Sequence, residues 1–299
     1  MSNIHITGGN GFIGSNLFKS INKNSNVSRS DINTANILHP NEISEFFKGQ
    51  EFDTIVHVAG LMGATDSKTK TYEYFSVNAT GVLNVLNACK ENNIKKFVFL
   101  SSLTVHGQNG TNEKFKTESS PFNPLHPYAT SKVISEYYIR EYCKLNNISA
   151  VILRPSIVVG NLEGEPNAVT EFSKNIHKNE PIVLYGDGSH AREYISIENL
   201  VKAIEKSIEY LNLKDKEKIL EEFIISSGVP ISMMDLASLS VKLLKKGEIK
   251  KINPNSRSFS LTSSIQKAKK ILKWEPSDTI DKLIVDTFSH IENGAKDDH

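Results

Sequence analysis

Four short apolar runs punctuate the first half of the chain: NIHIT (3–7), TIVHVAG (54–60), KFVFLSS (96–102) and AVILRPS (150–156). Each is rich in β-branched residues, too short for a helix, and bounded by polar residues or glycine, which predicts strands. Between the second and third runs, Val77, Val82, Val85, Leu86 and Cys89 keep roughly helical spacing and predict a long helix with one apolar face. A further helix is predicted from Tyr128 to about Asn146, through Ile134, Tyr137, Tyr138 and Tyr142. Pro127 suits its start, because a missing N–H costs nothing there. Strands that alternate with helices require crossover connections, so the expected class is α/β, with a doubly wound parallel sheet covered on both faces.

After Gly160 the texture changes, with glycine, proline and charged residues interleaved among short elements. The expectation is a smaller, discontinuous second lobe. EYISIENL (193–200) and EEFIISSG (221–228) are candidates to return strands to the first lobe. This divides the chain into a first domain of 1–160 and about 195–228, and a second of 161–194 and about 229–299.

Charge narrows the partners. The balance of 35 basic against 34 acidic residues, net +1, gives no general electrostatic case for nucleic acid or an anionic membrane. The basic cluster KLLKKGEIKK (242–251) reads as a solvated helix end and turn. No apolar run approaches the length of a membrane span, and the chain opens directly on a strand pattern. Cys89 and Cys143 lie in helical segments without metal spacing, so they read as buried free thiols in a reducing cytoplasm. No metal site is expected.

The first chemistry lies in NIHITGGNGFIGSNLF (3–18), where Gly8, Gly11 and Gly14 follow a strand and open a helix. Glycine permits a tight turn, backbone N–H groups can approach a pyrophosphate, and the helix N-terminus adds partial positive charge. Phe12 and Ile13 are expected to pack beneath the turn. A plain glycine turn is the competing reading of the triplet alone. Such a Rossmann-type site also wants an acid to bind a ribose hydroxyl, and Asp31 stands 17 residues past Gly14. A carboxylate there repels a 2′-phosphate and favours NAD over NADP, although Arg29 and Ser30 beside it leave room for a phosphate.

The second lies in PYATSK (127–132), which sets Tyr128 and Lys132 on one side of a helix. An ammonium near a phenol favours the phenolate and suits it to proton transfer near neutral pH. Spacing alone does not decide the matter, because Tyr210 and Lys214 share it in the charged stretch EYLNLKDKEK (209–218), read as surface.

Eight stretches in order now carry a resemblance: TGGNGFIG (7–14), VHVAG (56–60), NATGVLNVLNAC (78–89), FLSSLTVHG (99–107), PYATSK, LRPSIVVG (153–160), YGDGSHAREYISIENL (185–200) and LKWEP (272–276). Together they resemble the extended short-chain dehydrogenases/reductases, in particular the NAD-dependent epimerase/dehydratase group that acts on nucleotide sugars. The resemblance implies that Tyr128 exchanges a proton at a sugar carbinol, that Ser102 hydrogen-bonds the same oxygen, and that Lys132 binds the nicotinamide ribose. It implies that Asn36 and Ile37 lie against adenine, that Ala59 and Gly60 line the adenosine and pyrophosphate, that Asn78 fixes backbone nearby, and that Pro155 and Ser156 approach the nicotinamide amide. Arg192 is implied in gripping a nucleoside diphosphate, Val183 and Tyr185 in contacting its base, and Arg257 in a second phosphate contact. A homodimer formed through the helices at about 72–92 and 128–146 is implied as well, as is a place in surface-polysaccharide or deoxysugar synthesis.

The resemblance implies epimerisation at C4 through a 4-keto intermediate, with reduction of an NDP-4-keto-6-deoxy sugar as the alternative. A 4,6-dehydratase would need an Asp–Glu pair after the catalytic Ser or Thr, where this chain has Leu103 and Thr104. Ile157, His106, Val159 and Met62 depart from the usual residues and make the substrate pocket more apolar, which keeps the reductase open. A nucleotide-binding protein with idle chemistry is the third reading, opposed by the intact Ser102, Tyr128 and Lys132 set.

Overall fold

The computed structural model describes residues 2–22, 25–110, 113–160, 166–214, 217–253 and 259–297. The chain opens with β1 (Asn3–Thr7), α1 (Phe12–Ile21), β2 (Asn26–Ser30), α2 (Pro40–Phe47) and β3 (Thr54–His57). There follow α3 (Thr71–Phe75), α4 (Gly81–Glu91), β4 (Lys96–Leu100), α5 (Pro127–Asn146) and β5 (Ser149–Pro155). The remainder comprises β6 (Ile157–Val159), α6 (Ala168–His177), β7 (Ile182–Tyr185), β8 (Ala191–Arg192), β9 (Tyr194–Ser196), α7 (Ile197–Leu213), β10 (Leu220–Ile225), β11 (Ile231–Ser232), α8 (Met233–Leu244), β12 (Ile249–Ile252) and α9 (Ile280–Asp297).

Six strands form one parallel sheet in the order β2-β1-β3-β4-β5-β10. The alternation of strand and helix dictates this arrangement, and both faces are covered. On one face Ile4, Ile6, Val56, Val98 and Val151 pack against Leu17 of α1 and Leu200 and Ile204 of α7. On the other, Ile55, Phe97, Phe99 and Ile152 pack against Phe47 of α2, Leu86 of α4 and Ile139 of α5. Strand order reverses beside β1, with β2 on one side and β3 on the other. In doubly wound sheets the crevice at the carboxyl ends of the strands at this point is the usual ligand site.

Local details explain where the sequence pattern reads imperfectly. NVSRS forms β2 despite its polarity because it is an edge strand, with only Ser30 fully buried. The helix predicted across Val77–Cys89 is broken in style, since a π-helical stretch at Ser76–Thr80 separates α3 from α4. EEFIISSG joins the central sheet as β10, beside β5. EYISIENL does not: β9 pairs in parallel with β6 in a separate two-stranded sheet, and α7 follows directly.

A third apolar cluster lies apart from the sheet and unites Val159, Phe172 and Ile176 of α6, Ile182 and Leu184 of β7, Leu236 of α8 and Ile284 and Phe288 of α9. Trp274 of LKWEP is buried against α7 and donates from Nε1 to Asn199 O at 3.0 Å. Cys89 and Cys143 are buried free thiols. Among the described residues no helix is long and apolar enough to cross a membrane.

Candidate active site

The glycine loop is shaped by close backbone approach. Gly8 adopts φ +74°, and a Cβ on it would stand 2.6 Å from Ala59 N and Cα. A Cβ on Gly14 would stand 2.3 Å from Gly8 O, a contact no side chain tolerates. Gly11 N-caps α1, no side chain caps the first turn, and no acid lies in it. The loop therefore presents helix N–H groups to an anion, as a pyrophosphate requires. Ile13 is buried beneath the turn, and Phe12 packs against Gly160.

Asp31 stands at the end of β2, facing that loop. Its carboxylate accepts from Asn10 Nδ2, and from the N–H groups of Asn33 at 2.9 Å and Thr34 at 3.2 Å. These bonds, Asn10 first, hold its pKa below the ordinary carboxylate value. Arg29 is turned away: its guanidinium lies 4.4 Å over the Phe18 ring and donates to Gly9 O at 3.4 Å. Asn36 spends its side-chain oxygen on the N–H of Leu38, 3.0 Å away. Ile37 is buried in the core against Gly81.

Beyond β3, Ala59 crosses Gly8, and Gly60 leaves no room for a side chain: a Cβ there would lie 2.9 Å from Asn78 Oδ1 and 3.4 Å from Lys132 Nζ. Asn78 is fully buried and fastens this segment to α5. Its Oδ1 accepts from Leu61 N at 2.8 Å, and its Nδ2 donates to Leu61 O and Ser131 Oγ, each at 3.0 Å. The residues present thus fit a dinucleotide, with an anion cradle, a carboxylate beyond β2 and small residues where backbone must approach.

Tyr128 and Lys132 occupy the first turns of α5. Pro127 sits at the start of the helix, and His126 caps it, its Nδ1 accepting the Ala129 N–H at 3.2 Å. Ser102 follows β4, and its Oγ accepts the Thr104 N–H at 3.2 Å and shares a bond with Thr104 Oγ1 at 2.9 Å. Ser102 and Tyr128 line one cavity of about 270 Å³, together with Phe12, Ile13, Pro155, Ser156 and Arg192. Lys132 lies behind this wall, 5% exposed, donating from Nζ to Leu100 O at 2.9 Å and standing 4.9 Å over the Phe99 ring. Burial lowers its pKa to about 8, while Glu136 opposes the shift. Tyr210 is not surface as expected. It is half-buried on α7, edge-on to Phe223 at 6.2 Å, and does not line the cavity.

Arg192 reaches the same cavity from β8, with Nη1 anchored on Ala191 O at 2.9 Å and Phe259 O at 2.6 Å. Burial pulls its pKa down. Val183 and Tyr185 do not line the cavity. On β7, paired with β12, the alternate residues Ile182 and Leu184 fill the third apolar cluster, and Tyr185 is 69% exposed on the other face. Arg257 lies outside the described residues.

Several residues at or next to the cavity escape sequence reasoning. His126 stacks parallel to Tyr128, and Tyr74 stands edge-on to it at 6.2 Å. His126 has a local signal, since it directly precedes Pro127. Glu193 also lines the cavity, buried, with Ser226 Oγ donating at 2.7 Å and Ser263 Oγ at 2.5 Å to its Oε2. Its partners lie 33 and 70 residues away, a pairing no local pattern signals.

The parallel sheet, the glycine loop at its switch point and the Ser102, Tyr128 and Lys132 cluster define an extended short-chain dehydrogenase/reductase. Residues 4–221 match the model of the NAD dependent epimerase/dehydratase family, and the chain belongs to that family. It is 26% identical over 245 residues to a UDP-glucuronate 4-epimerase of Thermodesulfobacterium geofontis, covering 80% of this chain and 72% of that one. It is 26% identical to a UDP-glucose 4-epimerase of Erwinia amylovora, covering 96% of each chain. Among solved structures, a UDP-glucose 4-epimerase from Stenotrophomonas maltophila with bound NAD and formylated UDP-arabinopyranose superposes with a TM-score of 0.89 at 17% identity over 99% of both chains.

Proposed function

We propose that the chain is an NAD-dependent epimerase of a nucleotide sugar, inverting C4 through a 4-keto intermediate. The observation that carries this reading is the meeting of Ser102 and Tyr128 in one cavity, with the Lys132 ammonium buried behind them and the glycine loop alongside. NAD, when bound, supplies a reversible acceptor for the hydride of C4. Gly8, Gly11 and Gly14 would hold its pyrophosphate and Asp31 its adenosine ribose, Pro155 would approach the nicotinamide amide, and Asn78 would fix the backbone nearby.

Tyr128 takes the C4 hydroxyl proton as the carbon becomes a ketone and returns it when the carbon is reduced. Ser102 donates a hydrogen bond to the same oxygen, where negative charge develops. Lys132 keeps positive charge next to the phenol. Arg192 presents its fork to the diphosphate, a match of planar geometry as well as charge. The family's other reaction, loss of water across C5 and C6, lacks its acid–base pair here: Leu103 is apolar and buried, and Thr104 cannot serve as a carboxylate.

The apolar walls Met62, Ile157 and Leu261 support the second reading, reduction of an NDP-4-keto-6-deoxy sugar. One experiment separates the two. Purified protein is denatured and the supernatant assayed for NAD, and the native protein is offered UDP-, dTDP-, GDP- and CDP-sugars. Stoichiometric NAD with turnover of a 4-hydroxy sugar supports the epimerase. An empty protein that oxidises NADPH with a 4-keto-6-deoxy sugar nucleotide replaces it with the reductase, and no turnover at all with an idle nucleotide-binding protein. Tyr128→Phe is expected to lower kcat roughly 100- to 10,000-fold with NAD binding retained.

We also propose a homodimer through α3, α4 and α5, supported by the aromatic surface of Tyr72, Phe75, Tyr137 and Tyr138 on α3 and α5. Size-exclusion chromatography tests it. The division into a dinucleotide lobe (1–160 and about 195–228) and a substrate lobe (161–194 and about 229–299) is supported by the separate apolar cluster of α6, β7, α8 and α9. A cytoplasmic location is supported by two buried thiols left free.

A further inference from the structure

A charged network closes behind the cavity wall, which only its member Ser101 lines, and none of its members is needed for the chemistry proposed above. Glu136 and Arg154 are 0% and 1% exposed, and they pair twice: Arg154 Nε to Oε1 at 3.0 Å and Nη2 to Oε2 at 2.7 Å. Ser101 Oγ donates to the same Oε1 at 2.6 Å. Arg154 Nη1 donates further to His106 Nε2 at 3.0 Å and Glu118 O at 2.9 Å. Arg140 reaches Glu136 Oε2 from the helix surface at 3.3 Å.

Each member sits one step from a site segment. Ser101 precedes Ser102, Glu136 lies one helical turn beyond Lys132, and Arg154 precedes Pro155. Two further bonds repeat the same closure: the Ser101 N–H donates to Leu153 O at 2.7 Å, and the Lys132 side chain donates from Nζ to Leu100 O at 2.9 Å. The ends of β4 and β5 are thus tied to the first half of α5. A buried pair of this kind is weak evidence for stability, because apolar replacements of both partners are often tolerated. Its placement speaks instead for geometry.

We propose that Ser101, Glu136 and Arg154 are a positioning unit, which sets the separation of the Ser102 hydroxyl from the Tyr128–Lys132 turn. The unit acts through the corner at Ser101–Thr104, and it rests on the reading of Ser102, Tyr128 and Lys132 as the catalytic residues. Glu136 contributes a second effect in the same place, favouring the charged form of Lys132 against the burial that lowers its pKa.

The test uses the full chain loaded with NAD, and two sets of variants. Glu136→Met with Arg154→Met removes both charges of the pair at once, and Arg140 keeps Glu222 as a partner. Ser101→Ala removes one hydroxyl, and Ser101→Thr keeps it. The expected result is a fall in kcat of about 100-fold for the double variant, the scale of misplacing a reacting group by about 1 Å. KM and NAD retention should stay within about twofold, as expected when only transition-state geometry is lost. Ser101→Ala should lower kcat roughly tenfold, the loss of one hydrogen bond, and Ser101→Thr should restore it. Hydrogen exchange at the amides of Ser101–Thr104 should quicken in both deficient variants and not in Ser101→Thr. Wild-type kcat in the double variant, or unchanged exchange in Ser101→Ala, overturns the proposal. The exchange readout needs no substrate, so it decides the positioning claim even if wild-type protein fails to epimerise any nucleotide sugar, which would defeat the functional reading alone.

Discussion

The rings of His126 and Tyr128 lie parallel within 2°, their centroids 5.9 Å apart, while His126 Nδ1 accepts the Ala129 N–H that opens α5. Accepting that bond requires an unprotonated Nδ1. Burial first, and then Lys68, lower the ring's pKa and keep it neutral at neutral pH. His126 therefore performs two tasks, capping the helix and flanking the phenol. His126→Ala is expected to lose about 1 kcal/mol of stability for the cap and to lower kcat. His126→Asn should regain the cap without the ring. Urea midpoints beside kcat for both variants check this, and equal activity in Asn and wild type would show that the ring contributes only its cap.

Asp31 and Arg29 divide the cofactor question between them. The carboxylate faces the glycine loop through Asn10, whereas the guanidinium is committed to Phe18. Asp31→Ala should weaken NAD binding roughly ten- to a hundred-fold, the worth of a hydrogen bond to a charged group. NADP should gain relative to NAD through lost repulsion, yet not bind tightly, because Arg29 is held elsewhere. Fluorescence titration of both nucleotides measures it. A preference for NADP in the unaltered protein would contradict the assignment.

What the residue pattern makes legible here is what is local. β1, the glycine triplet and the first helix are adjacent in sequence, so periodicity and turn chemistry describe them together. PYATSK is legible for the same reason: one helical turn sets Tyr128 beside Lys132. Features made by distant partners are not. Glu193 meets serines 33 and 70 residues away, and Glu136 meets Arg154 across 18. β9 looked like a sheet strand because its apolar run suits any strand, but it pairs with β6 outside the central sheet, a choice made by tertiary packing. Val183 and Tyr185 were assigned by resemblance, and neither lines the cavity. Tyr210 read as surface from its charged neighbours, although α7 rotates it onto Phe223.

Acid should unfold the protein from an unusually high pH. His5, His57 and His106 are each 0% exposed. Burial lowers their pKa values to about 4, about 3 and about 4, helped by Lys132 at His57 and by Arg154 at His106. Unfolded histidines titrate near ~6.5. A folded pKa below the unfolded one gives stability that is complete above about pH 6.5 and is lost as pH falls toward the folded values. Each histidine subtracts up to about 1.4 kcal/mol per pH unit within that window. Carboxylates in the unfolded chain titrate near ~4, so the interval between about pH 6.5 and pH 5 isolates the histidines. Urea midpoints across it should fall steadily, and His106→Gln should flatten the slope while lowering stability at neutral pH. A flat profile would mean that these rings take up protons without unfolding the chain.

Among the described residues, Arg192 is held by backbone rather than by an acid. Its Nη1 spends itself on the carbonyls of Ala191 and Phe259, which leaves the rest of the guanidinium for an anion in the cavity. The same two bonds fix the plane of the fork, so the side chain is set before any ligand arrives. Lysine offers charge without that plane, and its shorter reach abandons Phe259. Arg192→Lys is therefore expected to raise the KM of a nucleotide sugar by about tenfold or more, the scale of one charge-assisted hydrogen bond, with kcat nearly unchanged because the contact is equal in ground and transition states. Binding of the free nucleoside diphosphate, followed by calorimetry, should weaken by the same factor. A fall in kcat with KM intact would place Arg192 at the reacting carbon instead of the diphosphate.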